Sequence, residues 1–141
     1  MRRLRPAEWV WPAGGVALLA SAFLPWVRRG PGNRLRGHDL VDTLVAFGND
    51  IPGLSAARLT ILWYLIPALG AVSWVVFGVA GVPSRAARIV AVAAAIVTAV
   101  TVVVFARLSG VTDLGIGAAV ALAGAAALVG SVFLRPRPRT Q

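Results

Sequence analysis

The sequence predicts an all-α, polytopic membrane protein of four transmembrane helices, and three observations carry that expectation. Apolar residues make up 58% of the 141-residue chain and charged residues only 13%, against roughly 25% charged residues in a soluble domain, whose surface must be wetted. Four stretches, 9–27, 59–80, 89–106 and 116–134, contain no charged residue, and each comes close to the roughly 20 apolar residues that a helix needs to cross a hydrocarbon core about 30 Å thick. None of the four has the polar face that a helix of a soluble bundle would turn to water. At this length the chain, 1–141, reads as one domain.

The first stretch is bracketed by Trp9, Trp11 and Trp26, rings that favour the headgroup level of a bilayer. It follows a basic amino-terminal segment with Arg2, Arg3 and Arg5, and Ala20-Ser21-Ala22 offers a small-residue cleavage pattern like that of a signal peptide. The apolar run nevertheless continues through Phe23, Leu24 and Trp26 to Arg28 and Arg29, so an uncleaved first helix is the simpler expectation. The second stretch carries Trp63 and Tyr64 near one end, Trp74 deeper, and Pro67 well inside, where proline usually kinks a helix. Pro12 and Pro25 lie in the first stretch.

The third stretch holds ten Leu, Ile, Val or Phe residues, worth roughly −3 to −6 kcal/mol of insertion free energy at about −0.3 to −0.6 each. The fourth is diluted by glycine and alanine and depends on a neighbour. Gly117, Ala121 and Ala125 recur there every fourth residue, as Ala91, Ala95 and Ala99 do in the third stretch. Small residues at that spacing let helix backbones approach closely in lipid. The two stripes are expected either to meet in a hairpin or to face another subunit.

Between the first two helices lies the longest polar segment, the outer loop 28–58. Its Gly, Pro and Asn cluster predicts an irregular start. Over 38–47, Leu40, Val41, Leu44 and Val45 repeat at helical spacing, with Asp39 as a cap and Gly48 as a stop, which predicts a short amphipathic helix lying on the membrane face. His38, Asp39 and Asp42 form the one cluster resembling chemistry. A metal or proton-transfer site needs further ligands, however, and the chain has no other His, no Cys, and only Glu8, Asp50 and Asp113 besides. Capping and solvation account for all three residues, so no catalytic, metal or cofactor residue is assigned.

All fourteen basic residues are arginine, giving a net charge of +9. They sit at the borders of apolar runs instead of on one face among stacking aromatics, which argues against nucleic acid as a partner. With the amino terminus in the cytoplasm, inner segments hold Arg2, Arg3, Arg5, Arg85, Arg88, Arg135, Arg137 and Arg139, and outer ones Arg28, Arg29, Arg34, Arg36, Arg58 and Arg107. That bias predicts a multi-pass plasma-membrane (inner-membrane) protein with both termini cytoplasmic, its Arg-Pro tail resting near anionic lipid.

The Phe23-Leu24-Pro25-Trp26 ending of the first stretch, followed by the outer loop and closely spaced further helices, resembles small uncharacterised four-helix membrane proteins of actinobacteria. The resemblance covers the first helix and part of the loop and implies no activity. The remaining expectation is functional: a non-enzymatic accessory or assembly subunit of a larger membrane or cell-envelope complex, whose partners are the bilayer and either another protein or a second copy. The alternative is a homo-oligomeric small transporter or a passive channel lined by Ser21, Thr60, Ser73, Thr98, Thr101 and Ser131. Coupled transport normally uses an ionisable group within the membrane, and no span contains one. Thiol chemistry would require cysteines that are absent.

Overall fold

A computed structural model describes residues 9–29, 33–36, 39, 56–82, 84–109 and 111–133. Four helices, α1 (Val10–Ser21), α2 (Ala56–Val79), α3 (Arg85–Ser109) and α4 (Ile116–Phe133), account for most of them. A two-stranded antiparallel hairpin, β1 (Pro25–Arg29) with β2 (Asn33–Arg36), follows α1, and one 3-10 turn, Val111–Asp113, joins α3 to α4. Each helix packs beside its neighbours in the chain, and α1 closes the ring against α4. The direction alternates. Trp11, early in α1, bonds to Ser73 late in α2, while Gly14 lies against Gly124 and Leu128 late in α4, and Trp26, beyond the end of α1, lies against Gly117 early in α4.

Local chemistry explains where the helices begin and end. Gly81 adopts φ 71°, a left-handed conformation that costs glycine nothing, and its N–H reaches back to Val76 O at 3.1 Å to finish α2. Three residues on, the Ser84 hydroxyl accepts the Ala87 N–H at 3.1 Å and so caps α3. Pro12 is tolerated because it lies in the first turn of α1, where backbone N–H groups have no helical acceptor. Pro67 lies inside α2, which continues through it from Ala56 to Val79.

Three helices are long and apolar enough to cross a membrane, over Thr60–Val79, Arg85–Arg107 and Ile116–Phe133. Their outward faces are covered by large apolar side chains, among them Ile61, Val75 and Val79 on α2, Ile89, Ile96 and Val103 on α3, and Leu122 and Phe133 on α4. A water-soluble bundle would place polar groups there.

The first apolar stretch departs from expectation. Its helix was expected to continue to Val27, but α1 has 12 residues and ends at Ser21, about 18 Å of rise. The cause is Pro25. In a continuing helix the Ser21 carbonyl would accept the N–H of residue 25, which proline lacks, and the proline ring disfavours helical dihedrals at Leu24. The chain tightens instead through Ala22 N–H to Leu19 O (3.3 Å), Phe23 N–H to Ala20 O (3.0 Å) and Leu24 N–H to Ser21 O (3.3 Å), then turns into β1. The start of the outer loop is therefore strand at Arg28 and Arg29 and again over Asn33–Arg36, while Gly30, Pro31 and Gly32, on which the expected irregularity mainly falls, lie outside the described residues. The amphipathic helix expected over 38–47 lies outside the described residues apart from Asp39.

The small-residue stripes separate on inspection. On α4, Gly117, Ala121 and Ala125 are all buried within the chain. On α3 the buried face is Ala87, Ala91, Ala94, Thr98, Thr101 and Phe105, so Ala91 points inward, Ala95 is half-buried and Ala99 is exposed. Close helix contacts lie on both sides of α1. A Cβ at Gly14 would sit 2.9 Å from Gly124 O, and one at Gly124 would sit 2.9 Å from Gly14 O, so both positions must lack a side chain. On the other side of α1, Gly15 faces the Ser73 hydroxyl and the Trp74 ring, and Gly70 faces Gly15 O.

Replacing Gly124 by Val drives two methyl groups into this contact and is expected to destabilise the bundle by roughly 1–3 kcal/mol, the usual cost of overpacking. A lowered midpoint of thermal unfolding in detergent micelles, with Ala123→Val on the exposed face of the same helix as the control, checks it.

Candidate functional site

The most elaborated part of the molecule is the end at which α1 gives way to the hairpin. The Ser21 carbonyl, deprived of its helical donor, accepts the indole Nε1–H of Trp26 at 2.7 Å. Trp26 itself is fully buried. Its ring meets Trp63 of α2 edge-on, with centroids 4.5 Å apart and planes at 77°, and lies 5.8 Å from Phe105 of α3. Trp63 and Phe105 complete the triangle at 6.1 Å and 87°. Such edge-to-face pairs contribute about 0.5–1.5 kcal/mol beyond the area they bury. The indole has no space for a Cβ beside it on α4, which is why residue 117 is glycine.

The strand that carries Trp26 is held on both edges. β1 pairs with β2 in the register Val27 with Leu35, Arg28 with Arg34 and Arg29 with Asn33, with an irregularity between Pro25 and Val27. On its other edge Val27 bridges Leu114, and Gly115 N–H donates to Trp26 O at 2.7 Å. Gly115 is packed so closely against the Pro25 carbonyl that any side chain there would collide with it. These bonds pair the backbone of β1 on both of its edges.

The tryptophans correct a sequence expectation. Trp9 and Tyr64 are exposed, as interfacial rings should be, but Trp11, Trp26 and Trp63 belong to the core. Trp11 donates Nε1–H to Ser73 O at 2.8 Å, so its polar handle is used inside the bundle and not at the headgroups. Trp74 is part exposed, with one ring edge against Gly15.

Of the hydroxyls considered as a pore lining, Ser21, Ser73, Thr98 and Thr101 are buried, and Thr60 and Ser131 are half-buried. Most bond to a carbonyl of their own helix: Ser21 to Leu18 O (2.7 Å), Ser73 to Gly70 O (2.6 Å), Thr101 to Val97 O (2.7 Å) and Ser131 to Leu128 O (2.8 Å). Thr98 differs, since its hydroxyl is buried without a hydrogen-bond partner.

Of the His38, Asp39 and Asp42 cluster, only Asp39 lies among the described residues, half-buried, and His38 and Asp42 fall outside them. Among the described residues no group of His, Cys, Asp or Glu could hold a metal ion. The aromatic junction was missed by the sequence reading. Its signal was present in Pro25 next to Trp26, where a donor is removed and a substitute follows one residue later. No protein-family model, curated protein or solved structure matches the chain.

Two substitutions test this arrangement. Trp26→Phe retains much of the packing but strips the Ser21 carbonyl of its shortest bond, and should cost about 1–3 kcal/mol. Thr98→Val keeps the shape and removes an unpaired hydroxyl, so it should raise stability by about 1 kcal/mol or more. Chemical denaturation in a mixed micelle reads both, and a destabilised Thr98→Val would mean that the hydroxyl has a partner.

Proposed function

We propose that the chain is a multi-pass plasma-membrane protein with four crossings and both termini in the cytoplasm, serving as a non-enzymatic accessory or assembly subunit of a larger membrane or cell-envelope complex. The observation that carries this reading is the bundle interior. Among the described residues its buried polar side chains are Ser and Thr hydroxyls, and α1 is pressed against α2 and α4 through glycines. An interior of that kind suits a protein whose work is done at its surface. A pore would have to run between copies, not through one.

Four crossings are supported by the path of the first apolar stretch. From Gly14, level with Leu128, to Trp26, level with Gly117, it travels beside α4 over most of that helix's length. If the 18 residues of α4 cross the hydrocarbon core, then α1 and the extended residues that follow it cover nearly the same depth together. A cytoplasmic amino terminus then places the hairpin and the rest of the loop 28–58 outside, where a partner's extracytoplasmic face can reach them.

The absence of cysteine makes topology directly measurable. Arg3→Cys and Arg28→Cys, each tested in intact cells with a membrane-impermeant maleimide, should label from opposite sides, Arg28→Cys from outside. Labelling of both from one side would remove the first crossing. The functional reading is tested by affinity purification from native membranes in mild detergent. A stoichiometric partner is expected, and its loss when residues 38–47 are replaced by a Gly-Ser linker would assign the contact. Recovery of homo-oligomers alone, with solute flux in liposomes that a single substitution in a span abolishes, would overturn it.

A further inference from the structure

α1 ends on residues of the kind that a signal peptidase recognises. Ala20-Ser21-Ala22 places small side chains one and three residues before the Ala22–Phe23 peptide bond, behind an apolar stretch that follows Arg2, Arg3 and Arg5. A signal peptide combines a basic segment, an apolar segment of about 7–15 residues and this small-residue pattern. The helix that Pro25 cuts short has 12 residues, inside that range, and its rise of about 18 Å falls short of a hydrocarbon core about 30 Å thick. By length the first helix is therefore a leader's helix and not a full membrane span.

The same residues are folded in a way that withholds the bond. A peptidase takes the residues before the scissile bond in extended form, pairing their backbone with its own as an added strand does. Here Ala20 and Ser21 are the last two residues of α1, and the next three N–H groups, of Ala22, Phe23 and Leu24, are bonded back to Leu19 O, Ala20 O and Ser21 O. Ser21 is fully buried; its hydroxyl donates to Leu18 O and its carbonyl accepts the Trp26 indole. Ala20 and Ala22, whose side chains a peptidase would have to seat, are half-buried, and Ala22 packs against the core. Extending 20–22 therefore means unwinding the end of α1 and breaking the Trp26 bond. Loss of residues 1–22 would also take Trp11, Leu18 and the Gly14 and Gly15 contacts out of the bundle.

We propose that Ala22–Phe23 is a latent signal-peptidase site, masked by the seating of α1 and by the Trp26 bond to Ser21, and cut only in chains in which that junction opens. Water adds across the peptide bond, leaving a carboxylate on Ala22 and an amine on Phe23. Cleavage of a folded chain follows the population of its opened state, so the junction decides whether the first helix is kept. The site depends on the cytoplasmic amino terminus proposed above, which sets the bond at the outer face, where such peptidases act.

Full-length chain with a carboxyl-terminal affinity tag, expressed in bacterial cells and purified from their membranes, tests it by intact mass and amino-terminal sequencing. The unaltered chain should be recovered uncut at Ala22. Trp26→Ala should raise the fraction beginning at Phe23 at least tenfold, and so should Gly124→Val, which unseats α1 without touching the junction. Ala22→Phe added to either variant should remove that fragment, because the residue before the bond is then no longer small. An unaltered chain that already begins at Phe23, both variants recovered uncut while Arg28→Cys still labels from outside, or a fragment that survives Ala22→Phe would overturn the masking. Labelling of Arg28→Cys from inside would overturn the orientation, and the site with it.

Discussion

At the end of α1 the Ser21 carbonyl loses the helical donor that residue 25 would supply, and the indole of Trp26 gives it its shorter bond, 2.7 Å against 3.3 Å from the Leu24 N–H. Much of the molecule's architecture follows from that bond. To reach the Ser21 carbonyl, the ring must turn back under the helix end, which buries it between α2, α3 and α4. Its presence there requires glycine at 117, and the extended backbone that delivers it lies so near α4 that residue 115 must be glycine too. The same backbone exposes a strand edge on each side. β2 occupies one, and Leu114 with Gly115 occupies the other. In a membrane-embedded protein a missing backbone bond costs several kcal/mol, so a proline that breaks the first helix demands this whole set of substitutions.

Away from that junction, cohesion has a different source. Lipid chains solvate Ile and Val as well as a protein core does, so the exposed ridges on α2 and α3 contribute nothing to holding the helices together. Association depends on dispersion between close backbones, and the closest are at Gly14 with Gly124 and Gly15 with Gly70. Both pairs involve α1, the shortest of the four described helices. Its role is accordingly that of a central strut: it is too short to span as a helix alone, but it is the element against which α2 and α4 seat. Polar bonds reinforce the same seam, since Trp11 ties the start of α1 to the Ser73 carbonyl.

The helical class and the three long spans were legible because charge-free runs of bilayer length have few other uses. Boundaries were legible wherever a local rule acts alone, as with α4, expected over 116–134 and found at Ile116–Phe133. The first stretch was not, although Pro25 was in view, because hydropathy is blind to backbone donors. It scores Phe23, Leu24 and Trp26 as membrane residues whether they are helical or extended. The stripes show a second limit. Spacing identifies residues that can face a neighbour, but Ala91, Ala95 and Ala99 share a row that the bundle only partly uses, and the inward face of α3 was decided by Thr98, Thr101 and Phe105. The tryptophans show a third. An indole near the end of an apolar run serves equally well as a headgroup anchor or as a carbonyl's donor, and only tertiary contacts choose between the two.

These features divide the molecule by task. Its buried hydroxyls at Ser21, Ser73 and Thr101 donate to carbonyls of their own helices, and Thr98 has no hydrogen-bond partner. The apolar outer faces meet lipid. At the hairpin end, backbone bonded on both edges of β1 adjoins the aromatic triangle of Trp26, Trp63 and Phe105. A helix that simply continued to Val27 would have carried Arg28 out into the loop. By ending α1 early, Pro25 turns the chain into β1, and Arg28 is thereby carried on a strand that is bonded to the bundle.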